Sequence, residues 1–218
     1  MIEFIGNEQN GIEKRYSLDG TLISETPISD SKPHGVKIEY FSNGNISKEL
    51  PCINGIVDGV VKQYYTTGAL YIESPTENGK VHGIRNIYYE DGSIKAVAPF
   101  SKGKPQIGLK EYNKKGELLP DPKIIINERD KIILDGTYII ELYLSQKQRK
   151  TSYYVIFNEH GKEYRVKLPV EDGKGIFVEH IPRGGVILKK LTFETRFKTD
   201  FGNIKVLKTN YTLAVSNR

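Results

Sequence analysis

The feature that most constrains this chain is a glycine that returns every 24 residues through its N-terminal half. These opening glycines are Gly11, Gly35, Gly59 and Gly83, and Gly108 follows after a step of 25. A second glycine lies nine residues into each of the first four units and eight into the fifth: Gly20, Gly44, Gly68, Gly92 and Gly116. Repetition at a fixed step indicates that one structural unit is built several times and stacked on itself.

Other residue classes keep the same step. A tyrosine follows the opening glycine by five residues, or by four in the last unit: Tyr16, Tyr40, Tyr64, Tyr88 and Tyr112. An aliphatic residue follows the second glycine by two: Leu22, Ile46, Leu70, Ile94 and Leu118. A proline lies 16 residues into each of the first four units: Pro27, Pro51, Pro75 and Pro99. We expect the tyrosines and the aliphatic residues to form a ladder that is the core of the array and not a cofactor site.

Each unit predicts a β-hairpin. The turns "SNGN" and "EDGS" centre on Asn-Gly and Asp-Gly, and the flanking residues are strand formers. Because proline cannot donate to a ladder, we expect pairing to stop at the repeated proline. The register stays open: a two-residue turn places Phe41 opposite Ile46, whereas a three-residue turn with a bulge places Tyr40 there.

The chain therefore predicts an all-β protein with two domains. Residues 1–119 form an elongated array of stacked hairpins, with units near 11–34, 35–58, 59–82, 83–107 and 108–119. Pro120 and Pro122 mark a stiff linker, after which residues 120–218 lose the 24-residue step.

The pattern G-x4-Y-[YF]-x2-G-x-[LI], with its trailing "NGKVHG", resembles the variant MORN repeat (membrane occupation and recognition nexus) over about residues 4–119. The resemblance implies hairpin arrays used for binding or scaffolding, without catalytic residues, in bacterial proteins that are often antitoxin components of toxin–antitoxin systems. The first unit departs with Ser17, and the fifth with Asn113, where the others carry an aromatic residue. These two read as end units.

The start of the chain resembles the tail of a unit, since residues 4–10 align with residues 52–58. A half-repeat that caps the array and a natural chain that extends upstream both fit this alignment. The first 16 residues lack a signal-peptide pattern, so Met1 as the native start predicts a cytoplasmic protein. An upstream signal would instead predict the cell envelope or export.

The C-terminal half reads as about seven strands, which suggests an antiparallel β-sandwich of immunoglobulin-like size. Three segments alternate clearly between apolar and polar residues. Their apolar faces hold Tyr138, Ile140, Leu142 and Leu144; Tyr164, Val166 and Leu168; and Leu191, Phe193, Thr195 and Phe197. The segment "TSYYVIF" is apolar on both faces and predicts a central strand, while "NYTLAVS" closes the domain. No segment predicts a helix.

A partner-binding surface is the preferred functional interpretation. If the Tyr40 row packs inward, the next residues point the other way, and they make an exposed aromatic row of Phe41, Tyr65 and Tyr89. An open sheet edge that accepts a further strand is the alternative mode of binding. Both predict a non-enzymatic interaction or scaffold protein, either an antitoxin or immunity-type binder or an adaptor of an envelope assembly.

Residues that carry chemistry elsewhere are scattered here. His34, Asp58, His82 and Gln106 share one repeat position, but rungs about 10 Å apart cannot hold one metal ion. Cys52 stands where other units carry mostly apolar residues, which predicts a buried thiol. An enzyme would need a pocket built from residues such as His160, His180, Glu179 and Asp172. We expect no catalytic, cofactor or metal site.

The formal net charge is +5, and residues 120–218 supply it with 18 Lys and Arg against 12 Asp and Glu. This bias leaves binding to nucleic acid or to anionic lipid by the C-terminal half as a further alternative. The longest apolar runs fall short of the roughly 18 residues that suggest a membrane span. The single cysteine excludes an internal disulfide.

Overall fold

The computed structural model describes residues 1–6 and 10–217. The chain divides into two compact units, Met1–Leu119 and Pro120–Arg218. Both consist almost wholly of antiparallel strands, so the predicted all-β class is confirmed.

The described part of the first unit forms one antiparallel sheet of 14 strands. Its strands are β1 (Ile2–Gly6), β2 (Gly11–Tyr16), β3 (Leu22–Ser29), β4 (Lys32–Pro33), β5 (Gly35–Tyr40), β6 (Ile46–Ile53), β7 (Ile56–Val57), β8 (Gly59–Tyr64), β9 (Leu70–Glu77), β10 (Lys80–Val81), β11 (Gly83–Tyr88), β12 (Ile94–Ser101), β13 (Lys104–Pro105) and β14 (Lys110–Glu111). In the middle units, one hairpin of long strands is followed by a two-residue strand that folds back on the hairpin, as β7 does on β6.

The hairpin turn settles the register that the sequence left open. Tyr40 lies opposite Ile46, with a bulge beside it, so the bulged alternative is the one observed. The N–H of Phe41 donates to the carbonyl of Asn45 at 2.8 Å, and the N–H of Gly44 donates to the carbonyl of Phe41 at 3.0 Å. Gly44 has φ 85°, a conformation that favours glycine, and this explains the second glycine of each unit.

The opening glycine is explained by a contact between successive units. Gly59 has φ 120°, and a Cβ at this position would lie 3.0 Å from the Cβ of Pro51 in the preceding unit. Gly35, Gly83 and Gly108 repeat the arrangement against the preceding proline. The step of the repeat is therefore the distance along the chain from one glycine–proline contact to the next.

The expectation that the repeated proline ends pairing is wrong. Pro51 lies inside β6, opposite Val36, and β6 continues to Ile53. Its carbonyl accepts a hydrogen bond from the N–H of Asp58 at 2.9 Å, on the side away from β5. Since the N and C=O of one strand residue point to the same side, the missing N–H costs no bond to β5.

Successive hairpins share little backbone pairing. Within a hairpin, six residue pairs face each other between β5 and β6, whereas only Ser24–Glu39 and Glu25–Ile38 pair between β3 and β5. Side chains reinforce these junctions. Four of the five ladder tyrosines donate to a glutamate that precedes their own unit: Tyr16 to Glu3 at 2.8 Å, Tyr40 to Glu25 at 2.7 Å, Tyr64 to Glu49 at 2.9 Å and Tyr88 to Glu73 at 3.4 Å.

The core of the first unit is thinner than the sequence predicts. The ladder tyrosines are half-buried. Their aliphatic neighbours Ile94 and Leu118 are 44% and 57% exposed, so their assignment to the core is wrong. The buried apolar cluster instead comprises Ile87, Ala96, Ala98 and Leu109. A single sheet has no second layer to cover it, which explains the difference.

The second unit contains β15 (Ile124–Lys131), the single helical turn α1 (Ile132–Asp135), β16 (Thr137–Leu144), β17 (Arg149–Glu159), β18 (Lys162–Lys167), β19 (Val170–Glu171), β20 (Lys174–His180), β21 (Val186–Lys198) and β22 (Ile204–Ser216). The helical turn was not predicted. It is a short connection between two strands, too brief for a 3.6-residue pattern to appear in the sequence.

Two four-stranded sheets make this unit a sandwich. Their strand orders are β15-β16-β20-β19 and β18-β17-β21-β22, so "TSYYVIF" is central as predicted. Residues of both sheets build one core, and the rings of Phe177 and Phe193 meet across it with centroids 5.8 Å apart. The predicted inward faces of β16 and β21 are buried. In the "EYRVKL" segment only Leu168 is buried, and Tyr164 and Val166 are about half exposed.

The glycine–proline contact predicts an unequal response to two similar substitutions. Gly59→Ala should destabilise the array by about 2–3 kcal/mol, because it combines a positive φ with a methyl placed against Pro51. Gly44→Ala, with φ 85° and open space around it, is the matched control and should cost about 1 kcal/mol. Urea unfolding measures the loss of stability in both variants, and hydrogen exchange in residues 35–82 measures the loss within the units that contain the two glycines. Equal losses would contradict the packing role of the opening glycine.

The tyrosine–glutamate contacts predict a pH-dependent effect of Tyr40→Phe. Contacts with Lys14 and then Tyr40 hold the pKa of the Glu25 carboxyl below its ordinary value, and burial, then Glu25, raises the pKa of Tyr40 to about 12. A lowered carboxyl pKa stabilises the fold above the unfolded pKa, and this stability is lost as the pH falls through the folded pKa. The free energy of unfolding of wild type should therefore exceed that of Tyr40→Phe by about 1 kcal/mol at neutral pH. The difference should disappear as the pH falls through the pKa of Glu25.

Unfolding curves of Tyr40→Phe at several pH values check this, and Tyr164→Phe in the exposed strand β18 is the control. A gap that stays constant down to acid pH would show that the hydroxyl does not act through the ionised carboxylate.

A buried hydroxyl in the sandwich predicts a stabilising substitution. Thr195 is fully buried, and its Oγ1 has no hydrogen-bond partner among the described residues. Thr195→Val replaces the hydroxyl with a methyl of the same shape and should raise the free energy of unfolding by about 1 kcal/mol. Thr192→Val is the contrast, because the Thr192 hydroxyl bonds Asn210 at 2.9 Å and its loss should not stabilise. Thermal unfolding of both variants measures the difference.

Candidate functional site

The predicted aromatic row, Phe41, Tyr65 and Tyr89, lies where each hairpin turn begins. Its members are half-buried. The hydroxyl of Tyr65 donates to the carbonyl of Tyr88 at 2.8 Å, and that of Tyr89 donates to the carbonyl of Tyr112 at 2.8 Å. Tyr65 and Tyr89 therefore join neighbouring units through their hydroxyls, while all three rings stay partly accessible. Its role in partner binding remains a prediction.

Two members of the aromatic row border a depression at the turn edge of the sheet. It has a volume of about 470 Å³ and is lined by Tyr65, Tyr89, Glu90, Asp91 and Lys114. Neighbouring side chains cover the rings: Tyr71 lies 4.8 Å from Tyr65 between centroids, and the Lys95 ammonium lies 5.4 Å from the Tyr89 ring. Lys114 lies beside the two carboxylates and Lys95 lies over the Tyr89 ring, so this chain itself supplies cations to the depression.

A second repeated row was missed in the sequence. Each of the first four units carries an aliphatic residue directly after its opening glycine: Ile12, Val36, Val60 and Ile84, called here the aliphatic row. These side chains are between 38% and 47% exposed. The signal was available in the 24-residue step, but alternation places the row on the same face as the tyrosines, a face expected to be buried.

The aliphatic row belongs to a longer apolar stripe. Its members pair across the hairpins with the repeated prolines: Ile12 with Pro27, Val36 with Pro51, Val60 with Pro75 and Ile84 with Pro99. With two strands per unit, successive members lie about 10 Å apart. Four accessible aliphatic side chains at regular intervals can contact an apolar surface of matching period.

The polar position before each opening glycine has a structural role. Its side chain contacts the turn 20 residues further on. Three of these side chains accept a hydrogen bond from a backbone N–H of that turn: Asn10 from Asp30 at 3.2 Å, Asp58 from Asn78 at 3.1 Å and His82 from Lys102 at 3.5 Å. In the fourth case, His34 Nδ1 lies 3.4 Å from Asn54 Oδ1. Gln106 donates to the carbonyl of Lys104 at 3.0 Å. In residues 1–6 and 10–217, no three potential metal ligands cluster.

Of the residues named for an enzyme, Asp172 and His180 lie at opposite ends of one strand. His160 and Asp172 lie in tight turns with φ 51° and 48°. Asp172 precedes β20 and His180 ends it, so the two are separated by more than about 20 Å of strand. Glu179 forms an ion pair with Lys189 at 2.8 Å.

Cys52 is buried, and burial raises the pKa of its thiol. A raised pKa disfavours the thiolate that acts as a nucleophile.

Much of the positive charge of the second unit is paired within it. Glu194, whose side chain is almost wholly buried, contacts Arg196 at 2.6 Å and Arg165 at 3.1 Å. Glu141 contacts Arg129 at 2.8 Å and Lys174 at 2.9 Å. These four cations hold buried carboxylates and are therefore not free to contact an anionic partner directly, while the net excess of positive charge in residues 120–218 is unchanged.

Helices long and apolar enough to cross a bilayer do not occur in the described ranges 1–6 and 10–217.

Comparison with known proteins bears on the repeats alone. The model of the family described as MORN repeat variant matches three consecutive segments, residues 33–54, 57–78 and 81–102. A search of curated proteins finds no match for the chain. The matched segments correspond to the second, third and fourth units, whereas the first and fifth, which depart from the pattern at Ser17 and Asn113, lie outside them. Residues 33–102 of this chain are consecutive MORN repeats of the variant type.

Proposed function

We propose that this chain is a non-enzymatic interaction protein whose repeat array binds a protein partner through the aliphatic row. One observation carries the proposal: four aliphatic side chains, each between 38% and 47% exposed, lie one per unit on the same face. Apolar exposure that repeats with the fold marks a binding surface more strongly than isolated exposed residues do.

Three other repeated positions make internal contacts, whereas the aliphatic position after the second glycine is also accessible at Ile94 and Leu118. The ladder tyrosines donate to glutamates, the Tyr65 and Tyr89 hydroxyls donate to backbone carbonyls, and the opening glycines pack on prolines. The aliphatic row pairs with proline within its hairpin and keeps its outer surface accessible. This division supports the row as the place where a partner gains apolar contact area.

The aromatic row supports a secondary contact in the same proposal. Phe41, Tyr65 and Tyr89 lie at the turn edge, and the depression beside Tyr65 and Tyr89 contains Glu90 and Asp91. A partner that covers the aliphatic row and extends to this edge would also contact the accessible parts of these rings.

The class of partner follows from the family resemblance and remains part of the proposal. MORN repeats are commonly binding repeats, and the antitoxin or immunity role corresponds to one soluble toxic partner. A structural adaptor of an envelope assembly corresponds to several envelope proteins instead. The separation of Asp172 from His180 along β20 supports a role without catalysis.

The test compares what the protein captures from its native host before and after a change in the row. In the double variant Val36→Glu, Val60→Glu, two carboxylates replace accessible methyl groups, and burying them against an apolar partner is unfavourable. We expect capture of the partner to fall at least about tenfold. Leu18→Glu, an equally aliphatic and fully exposed position at a hairpin turn, is the matched control and should retain capture.

Quantitative mass spectrometry of the captured proteins measures the effect, and hydrogen exchange verifies that the array stays folded. Capture of the same partner at the same level by wild type and the double variant would overturn the aliphatic row as the binding surface. The proteins that wild type captures also distinguish the two roles: one soluble partner indicates an antitoxin or immunity role, and several envelope proteins indicate an adaptor.

A further inference from the structure

The sandwich of the second unit is one long strand short. Its second sheet has four long strands, β18, β17, β21 and β22. In the described part of the chain, its first sheet has three long strands, β15, β16 and β20, and on the side away from β16 the neighbour of β20 is the two-residue strand β19. Opposing sheets of a sandwich cover each other strand by strand, so one strand of the second sheet lacks a counterpart.

That uncovered strand is β18. Tyr164, Val166 and Leu168 alternate along one face, and Tyr164 and Val166 lie opposite Phe157 and Val155, two residues that pack in or against the core. Leu168 is only 5% exposed, but Tyr164 and Val166 are 48% and 50% exposed. The inner face of the sandwich thus continues beyond its covered part.

The exposed inner face of β18 borders a space that none of the described long strands of the first sheet fills. The strand registers place β20 along one side of this uncovered space. Gly175 packs on the Tyr153 side chain, and the N–H of Leu168 donates to the carbonyl of Tyr153. Gly175 and Leu168 therefore lie at the same height along the sandwich. Further along β20, the Phe177 ring contacts Phe193, and Glu179 pairs with Lys189 at 2.8 Å. The space therefore extends beside β20 from Ile176 to His180, over about four or five residues of strand.

The backbone of β20 is open toward this space. β19 pairs with Lys174 and Gly175 alone, and the N–H of Ile176 makes the last bond, to the carbonyl of Pro169 at 2.9 Å. Alternate residues of an antiparallel strand point their N–H and C=O to the same side, so Val178 and His180 point theirs outward with Ile176. Within the described residues, no strand pairs with β20 on this side beyond Gly175.

The residues that line the space indicate which kind of molecule would fill it. Its walls, Tyr164, Val166 and Phe177, carry no charge, and the Glu179–Lys189 pair at its far end is neutral as a pair. The Lys189 ammonium at this end is already held by Glu179 and is not free for an anionic headgroup or nucleic acid. Open backbone N–H and C=O groups are satisfied by another peptide backbone. An uncharged strand with apolar side chains at alternate positions matches both the walls and the edge.

We propose that the second unit accepts an extended segment of a partner protein as an added strand beside β20, where it completes the first sheet and covers Tyr164 and Val166. The segment continues the line of β19, and its inward side chains are aliphatic. This site is separate from the aliphatic row of the array, so either proposal can fail without the other.

A capped peptide of alternating threonine and valine, about nine residues long, is the probe. Added to the full chain, it should slow hydrogen exchange at the amides of Val178 and His180, read by NMR. The same peptide with N-methyl groups on one backbone edge keeps its side chains, loses its donors and should give at least about tenfold weaker binding.

Two variants locate the site. Val166→Lys places a charge in the uncharged space and should weaken peptide binding at least about tenfold. Val186→Lys makes the same change at a side chain that is 77% exposed on β21 and should bind like wild type. Both positions are exposed, so both variants should fold, and their circular dichroism verifies this.

Any one of three results with the peptide would overturn the proposal. They are unchanged exchange at Val178 and His180, equal binding of the plain and N-methylated peptides, and equal binding by the Val166→Lys and Val186→Lys variants. A peptide-free dimer that Val166→Lys dissociates would also overturn it, because a second copy of this chain would then be the occupant.

Discussion

A lone β-hairpin leaves two backbone edges unpaired, and closing those edges is the constraint on which the repeat array depends. Successive hairpins share only two residue pairs of backbone register, as between β3 and β5. The junctions are completed by a tyrosine that donates to a glutamate of the neighbouring unit and by a glycine that packs on its proline. The second, third and fourth units each make both contacts with the unit before them, so the sequence supplies the same residues at the same step.

The two units expose apolar side chains for different physical reasons. In the array, a single sheet has no second layer, so the aliphatic row stays accessible beside prolines that lock the hairpins. In the sandwich, a second layer exists, but it lacks a long strand beside β20, and Tyr164 and Val166 are left without cover. Both features offer a partner contact area or an open backbone edge.

Sequence patterns predicted the fold well where local chemistry decides it. Asn-Gly turns and the 24-residue step predicted hairpins, and alternation predicted the buried residues Leu191, Phe193 and Phe197. The same reasoning failed for Tyr164, Val166 and Leu118, whose pattern predicts an apolar face but whose exposure depends on what lies opposite. The proline expectation failed because the side of the strand on which a missing N–H falls is set by the neighbouring strands.

The sequence by itself determined the repeat, the strands, the turns and the change of architecture near Pro120, because each follows from backbone preferences of adjacent residues. Only the tertiary structure decided which faces are covered. Whether Val36 or Tyr40 is accessible, and whether β20 has a neighbour along its whole length, depends on strands far apart in the chain. Burial is a property of the opposing surface, and an alternating pattern records only that one side of a strand is apolar.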